Sequence, residues 1–525
     1  MKQYRLVNNI LGWVIGLVAC LVYILTAEAT ASWWDCGEFI ATAQKLEVGH
    51  PPGAPTFQLI GRLFSMFSSP EQSAHAINIM SALCSGVGIM FLFWTITLLG
   101  KKLLKGEPSL KDARTWAVFA AAVVGSLAYT FSDTYWFSAV EGEVYAMSSF
   151  FTAVVFWAIL KWEEQADDPH SLRWLILICF LVGLAIGVHL LNLLTIPAIV
   201  YVVYFKKWPK TTWKGFILSG LLSVVLLAIV LWGIIPGIVN VDSAIDVFFV
   251  NKLHLPFNSG TIFFFVLLAA AIAWGLWYTR KKNQPIINAS ILGLLMLIIG
   301  YTTFFMLVIR ANTNTPLNEN CPRDGVALRA YLGREQYGQT PLLYGQYYTA
   351  GNPIEVKQGY AKYVRGTDSQ GRDRYIAKSY ASNYVYREKH CGPFPRMWSN
   401  DGSRQHPQFY RYWTGEPPRG EKPTMSQNLK FFNRYQCGFM YWRYFMWNFA
   451  GRQNDIQGHY FNNDGTRDYL HGNWISGIKF IDQMRLGPQD NLPDHMKNNK
   501  ARNTYFMLPL LLGLLGLLYL CLRNK

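Results

Sequence analysis

The chain has 525 residues, of which 51% are hydrophobic and only 15% charged, and a formal net charge of +16. Its mean hydropathy is only slightly positive, too low for a protein made solely of membrane helices. Membrane and soluble parts must therefore alternate along the sequence.

Apolar runs long enough to cross a bilayer, given that about 20 helical residues are needed, lie at 10–27, 76–99, 115–132, 144–160, 174–188, 190–205, 215–238, 260–279, 285–309 and 504–522. They predict a polytopic α-helical membrane protein with about ten transmembrane helices. Lys and Arg resist translocation, so short basic loops mark the cytoplasmic side. The basic stretches at 1–5, 101–105, 206–210, 280–282 and 523–525 all fall on one side in a single assignment, with both termini cytoplasmic. Loops 28–75, 133–143 and 239–259 then lie outside. Residues 311–503 are too polar to span and also lie outside, since long domains cross largely regardless of charge. The expected organisation is a transmembrane domain at 1–310, a mixed α/β extracytoplasmic domain at 311–503 and a last transmembrane helix at 504–525. The basic outer domain suits anionic head groups or phosphates as well as plain solvation; its location argues against nucleic acid. Ala29-Thr30-Ala31 looks like a signal cleavage site, but the apolar run before it is longer than a signal core, so an uncleaved anchor is expected.

Four cysteines, Cys20, Cys84, Cys179 and Cys521, fall in the spans, where they serve as small apolar residues. Cys36, Cys321, Cys391 and Cys437 fall outside, where disulfides are permitted. A Cys391–Cys437 bridge is one open pairing. No Cys/His spacing suits zinc.

A charge at mid-span is costly, and carriers display such charges; these spans are nearly free of them. Polar residues instead collect at the outer ends. The first outer loop reads Ser32-Trp33-Trp34-Asp35-Cys36-Gly37-Glu38-Phe39, then Gly49-His50-Pro51-Pro52-Gly53. Asp35 and Glu38, three apart, share one face of a helical turn, beside tryptophans suited to the membrane interface. Such a carboxylate can accept a proton from an attacking hydroxyl; the same spacing also fits a helix cap and a solvated acid. The adjacent prolines fix a turn, and His50 there can orient a carboxylate, contact a phosphate or be structural. Residues 56–67, with Leu59, Ile60, Leu63, Phe64 and Phe67 on one side, read as an interfacial amphipathic helix. Glu141 and Glu143 bring two more acids to this surface, Glu143 at the head of the fourth span, where a helix dipole favours negative charge. His189 and Arg310 stand at outer helix ends. In the soluble part, the aromatic segment 443–455 carries Arg443, Arg452 and Asp455, placed either over a membrane-surface site or in a folded core. The Tyr, Gly and Asn content of 340–420 suggests loops and short strands.

These residues carry a resemblance. An acidic motif directly after the first span, followed by His-Pro-Pro, resembles the GT-C membrane glycosyltransferases, including protein O-mannosyltransferases and aminoarabinose transferases. The blocks WWDCGEFI, GHPPGAP, VEGEVYA, GVHLLNLLTIPA, ANTNTPLNENCPRDGVALRAYLGREQYG and RYFMWNFAGRQNDIQG together look like glycosyltransferase family 117, also described as domain-of-unknown-function family 2723. The resemblance implies a GT-C-like fold in a bacterial cytoplasmic membrane. It also implies transfer of a sugar from a polyprenyl-phosphate donor to a hydroxyl, such as Ser or Thr of an exported protein, with inversion. By similarity Asp35 is the general base, and Glu38 supports it or binds the acceptor or donor. Substrate contacts are expected from His50, Glu141, Glu143, His189, Arg310, Arg443, Arg452 and Asp455. With no DxD in an outer loop, no metal or other cofactor is expected beyond the lipid-linked sugar itself. Members of that family continue into further membrane helices and a helical-repeat region, whereas this sequence ends just past a span. The competing reading is a non-enzymatic envelope protein that docks an exported partner through its outer domain, and a transporter ranks third.

Overall fold

Each of the ten apolar runs is helical in a computed structural model, which describes residues 2–104, 106–338 and 341–523. Met1, Lys105, Asn524 and Lys525, and the side chain of Arg523, which entered the orientation argument, lie outside the described residues. The chain forms two compact units, residues 1–338 with 363–378, and residues 339–362 with 379–525.

The first unit is helical: α1 Lys2–Thr26, α2 Cys36–Lys45, α3 Pro55–Ser65, α4 Ser73–Lys101, α5 Ala113–Thr130, α6 Asp133–Ala139, α7 Val144–Glu164 and α8 Leu172–Ile186. There follow α9 Thr195–Lys207, α10 Trp213–Ala228, α11 Ile235–Leu253, α12 Ser259–Lys281, α13 Pro285–Tyr301, α14 Phe305–Ala311 and α15 Gly325–Leu332. Among the described residues, seven helical stretches are long and apolar enough to cross a membrane, and an eighth counts if α5 and α6, bent by 66°, form one span. The other two runs form shorter helices, at Leu172–Ile186 and Leu508–Leu522. Ile262, Val266, Leu267, Trp274 and Trp277 of α12 are more than half exposed. An apolar surface of that extent is at home in hydrocarbon rather than water, so the chain is a multi-pass helical membrane protein.

Sequence hydropathy places a loop at 239–259, but the helix runs on through Leu253, continuous from Trp213 across a π-helical turn at Ile229–Ile234. Its 41 residues measure about 60 Å, twice a bilayer core of about 30 Å. Asp242 and Asp246, four apart and so on one face, are buried there. The Asp246 carboxylate accepts from the Gly260 and Asn258 backbone N–H groups at the start of α12 (2.9 and 3.2 Å) and from the Tyr375 hydroxyl (2.8 Å). These polar contacts lower the local hydropathy without ending the helix. They also anchor residues 363–378, reinforced by Asn251 pairing with the Tyr375 backbone and Arg365 Nε on Asp324 at 2.5 Å.

Three apolar clusters hold the bundle. One packs α1, α4, α5 and α6 through Tyr23, Ile89, Phe93 and Phe119; a second packs α2, α3, α4 and α7 through Phe39, Phe57, Ile77, Met147 and Phe151. The third, around Trp162, Val182, Leu193, Leu297 and Tyr331, joins α7 and α8 to α13 and α15. Helices α8 and α13 cross with backbones in contact: a Cβ on Gly183 would stand 2.2 Å from the Leu297 carbonyl oxygen, and one on Gly300 2.6 Å from the Leu184 nitrogen.

The second unit is mixed. Strand β1, Tyr344–Gln346, pairs antiparallel with β4, Cys391–Pro393, and β5, Gly451–Arg452, with β6, Asn503–Thr504. Between them β2, Glu355–Thr367, and β3, Asp373–Val385, form a hairpin. Thirteen residues per strand exceeds the short strands expected from composition, because few side chains here need a buried partner: most of β2 and β3 is exposed or half-buried. The core gathers Tyr348, Met397, Tyr410, Trp413, Phe431 and Phe439. All eight cysteines are free, so the Cys391–Cys437 bridge left open by the sequence is not formed.

The Gly183–Gly300 crossing yields a test. Gly183→Leu or Gly300→Leu forces a helix-helix backbone contact apart and should cost about 1–3 kcal/mol, lowering the midpoint of heat-induced unfolding of the detergent-solubilised protein. An unchanged midpoint in both variants would contradict this packing.

Candidate active site

Asp35 opens α2. Trp34 adopts a left-handed φ of 61°, turning the chain so that Asp35 takes the N-cap position, where its backbone oxygen accepts from Phe39 N at 2.9 Å. Its side chain makes no cap hydrogen bond and is exposed. Helix α2 buries Cys36, Phe39, Ile40 and Ala43, which leaves Asp35 and the half-buried Glu38 for chemistry. Trp33 and Trp34 are more than four-fifths exposed, as membrane-interface anchors are.

Glu38 holds the turn that follows. Its Oε1 accepts from the His50 backbone N–H at 2.6 Å, and the His50 Nδ1 stands 3.0 and 3.1 Å from the two carboxylate oxygens. Gly49 permits this approach: a Cβ there would lie 2.5 Å from Glu38 Oε1. The turn closes through Gly53 N donating to the His50 carbonyl (2.9 Å). Burial opposes ionisation of Glu38, but hydrogen bonds from the His50 ring and backbone hold its carboxyl below the ordinary value. The bond to Glu38 raises His50, against burial and with help from the negative charges of Glu38, Asp35 and Glu319.

Two more acids border this pair, on the turn between α6 and α7. Glu141 and Glu143 are only 6% and 7% exposed. Glu141 accepts from the Ser32 hydroxyl at 2.5 Å, and burial raises its carboxyl despite that bond. Burial pushes Glu143 up to about 7, with the charges of Glu141 and Asp35 adding to the rise and His50 partly offsetting it. His189 caps the 3-10 turn Leu190–Leu194, its Nδ1 accepting from Leu191 N at 3.2 Å. Burial lowers its basicity, and its ring centroid lies 5.4 Å from that of Tyr145.

Asp35, Glu38 and His50 each offer one ligand atom, and the three atoms lie within 4.8 Å of one another. Two carboxylates and an imidazole suit a divalent cation. The same groups already satisfy each other: Glu38 engages the ring nitrogen of His50 with both oxygens, and the raised basicity of His50 favours a proton in that position. Chemically, such an arrangement is able to support proton transfer to a carboxylate or to hold a cation with three ligands.

The other expected site residues have partners of their own. Arg310 stands at the opposite end of α2, donating from Nε to the Leu46 carbonyl (2.5 Å) and from Nη2 to that of Lys45 (3.0 Å), a cation on helix C-terminal carbonyls. It is about 15 Å of helix away from Asp35. Arg443, Arg452 and Asp455 belong to the second unit. Arg443 is 5% exposed and lies over the rings of Phe439, Tyr444 and Trp447. Arg452 donates to the Asn454 carbonyl, and Asp455 accepts from Asn499.

Three supporting residues escaped the sequence reading. The fully buried Tyr331 donates to the Gly49 carbonyl at 2.7 Å, 282 positions away. Asn78, a buried amide inside apolar α4, donates to the Glu28 and Thr30 carbonyls and holds the strand leading to Asp35. Ser32 meets Glu141 as described. The signal for Asn78 was its polarity within a span; Tyr331 lay inside a quoted motif block but carried no mark of its partner.

Residues 35–212 match the sequence model of the protein O-mannosyl-transferase TMEM260 N-terminal domain, and residues 338–433 match a family of unknown function, DUF8416. The protein O-mannosyl-transferase tmem260 of Dictyostelium discoideum is 28% identical over 145 residues, 27% of this chain and 16% of the relative. The Mus musculus protein O-mannosyl-transferase TMEM260 is 25% identical over 187 residues, 36% of this chain and 24% of the relative. The matched stretch thus spans less than a quarter of either relative, and the family model begins at Asp35 itself.

Glu143 gives a pH test. Its carboxyl binds a proton more tightly in the folded state than the ordinary value of 4.5, so its contribution to stability is full below about pH 4.5 and is lost as pH rises through about 7. Glu143→Gln, which cannot ionise, should lose less thermal stability than the wild type between about pH 5 and pH 8. Parallel declines in the two proteins would show that Glu143 does not titrate there.

Proposed function

We propose that this chain is a membrane glycosyltransferase of GT-C type, related to glycosyltransferase family 117. In this reading it moves a sugar from a polyprenyl-phosphate donor to a Ser or Thr hydroxyl of an exported protein, on the extracytoplasmic face. The names of the relatives point to mannose. The observation that carries the reading is Asp35: an exposed, uncommitted carboxylate at the first residue of the matched region, beside a Glu38–His50 pair that is already bonded together. Sidedness rests on the distribution of basic loops, and the exposed tryptophans support a site at the membrane surface.

Asp35 takes the proton of the acceptor hydroxyl as its oxygen attacks the anomeric carbon. The bond from that carbon to the phosphate oxygen breaks, its electron pair leaves with the polyprenyl phosphate, and the configuration inverts. Glu38 fixes the His50 ring through Nδ1, leaving Nε2 as the donor available to the departing phosphate. The buried acids Glu141 and Glu143 sit behind this pair and orient the acceptor.

Asp35→Asn should lower transfer from polyprenyl-phosphate mannose to a Ser/Thr peptide by about 10²- to 10⁴-fold while leaving the unfolding midpoint unchanged. A folded variant of wild-type rate would remove Asp35 as the base. Transfer should also persist in EDTA, because the Glu38 carboxylate is already bonded to the His50 backbone and ring. Loss in EDTA with recovery on adding Mn²⁺ or Mg²⁺ would make Asp35, Glu38 and His50 metal ligands instead.

A further inference from the structure

The second unit contains a cavity of about 470 Å³ bordered by five cations, Lys430, Arg434, Arg443, Arg467 and Arg485. No carboxylate lines it, and among the described residues none of the five forms an ion pair with a carboxylate. The acids nearest in sequence are already engaged: Asp468 accepts from Leu470 N and bonds His471, and Asp482 accepts from the Ser476 and Gly477 backbone and the Ser476 hydroxyl. Aromatic faces, backbone carbonyls, the Tyr444 side chain at Arg443 and the charge of Asp482 on Arg485 compensate the guanidinium groups in part. Arg443 lies 4.0 Å from the Phe439 ring centroid, Arg467 4.7 Å from that of Tyr469 and Arg485 3.3 Å from that of Trp474.

Such a cluster is expensive. A buried cation such as Arg443 is costly without a counter-ion, and ring faces offset only part of that cost. Arg443 is 95% removed from solvent at a relative exposure of 5%, and its Nε and that of Arg467 are buried without a hydrogen-bond partner. Burial, with the charge of Arg467 beside it, brings Arg485 down to about 10. Convergent guanidinium groups with unused donors are matched by the paired oxygens of phosphate or carboxylate. The remaining walls supply a second selectivity. Trp413, Trp474, Tyr460 and Phe461 border the same space, and the electron-poor C–H face of a pyranose ring stacks on such negative π faces. The volume falls within the range of small-ligand pockets, about 300–1,000 Å³, larger than a lone inorganic anion needs.

We propose that this cavity binds an anionic saccharide, a sugar carrying a phosphate or carboxylate group. The site lies wholly in the second unit and does not depend on the transfer reaction assigned to Asp35. It makes the second unit a reader of charged glycans.

The test is titration of the full chain in detergent with glucose 1-phosphate, glucuronate, glucose and inorganic phosphate, followed by tryptophan fluorescence and calorimetry. Glucose 1-phosphate or glucuronate should bind saturably, with glucose and inorganic phosphate at least about tenfold weaker. Arg467→Gln and Arg434→Gln should each weaken binding about tenfold or more. Arg434 is exposed, so its variant stays folded and decides the matter if Arg467→Gln does not. Asp35→Asn should bind like the wild type, separating this site from the proposed active site. The proposal is overturned by absent binding, by equal binding of glucose or inorganic phosphate, by unchanged affinity in folded Arg434→Gln and Arg467→Gln, or by binding seen only with phosphatidylglycerol vesicles.

Discussion

The polar surface of the first unit depends on the hydrogen bonds between Glu38 and His50. One carboxylate binds both the backbone N–H and the ring of a residue twelve positions later, tying the end of a rigid Pro-Pro turn to the first turn of α2. Tyr331 secures the same turn from the far side through the Gly49 carbonyl. With these partners satisfied, Asp35 is left as the acid with no internal commitment. Burial gives the neighbouring Glu143 a different character, pushing its carboxyl up to about 7, whereas Asp35 is exposed to solvent. Two carboxylates in unlike environments on one surface are the raw material of acid–base chemistry.

The bundle beneath is built to keep this surface in place. Backbone contact at Gly183 and Gly300 draws α8 against α13. The chain leaving α8 then meets α3 directly, with Thr56 N donating to the Gly187 carbonyl at 2.8 Å. Two motif blocks far apart in sequence, GHPPGAP and GVHLLNLLTIPA, are thus joined by a hydrogen bond one residue past the first. Amphipathic α3 leaves Leu59, Leu63 and Phe67 exposed, the face expected for an interfacial helix.

What could be read from sequence was what is local. Apolar runs located the helices, because length and composition alone decide whether a segment suits hydrocarbon. The first-loop acids were legible because Asp35, Glu38 and His50 lie within sixteen residues and a proline turn folds them together. Arg310 was misleading for the opposite reason: its partners, the carbonyls of Lys45 and Leu46, lie more than 260 positions away, and backbone acceptors leave no trace in residue identity. Asp242 and Asp246 fall within the segment 239–259 expected to be a loop, although both are buried in a continuing helix. Their partners, α12 and residue Tyr375, come later in the chain. The five-cation cavity was invisible because its members are spread from Lys430 to Arg485 among many other basic residues.

The grip of Asp246 on Tyr375 bears on how the two units share one chain. The polypeptide leaves the first unit after residue 338, returns for 363–378 and leaves again, so the first unit is built from two separate stretches of chain. The tip of the β2–β3 hairpin supplies the phenol that meets Asp246 and the guanidinium that meets Asp324. A membrane portion cut at residue 338 would retain both carboxylates and lose both partners. In such a fragment Asp246 would keep the backbone N–H groups of Asn258 and Gly260, and Asp324 that of Ala327, so each buried acid would lose its one side-chain partner from the returning segment.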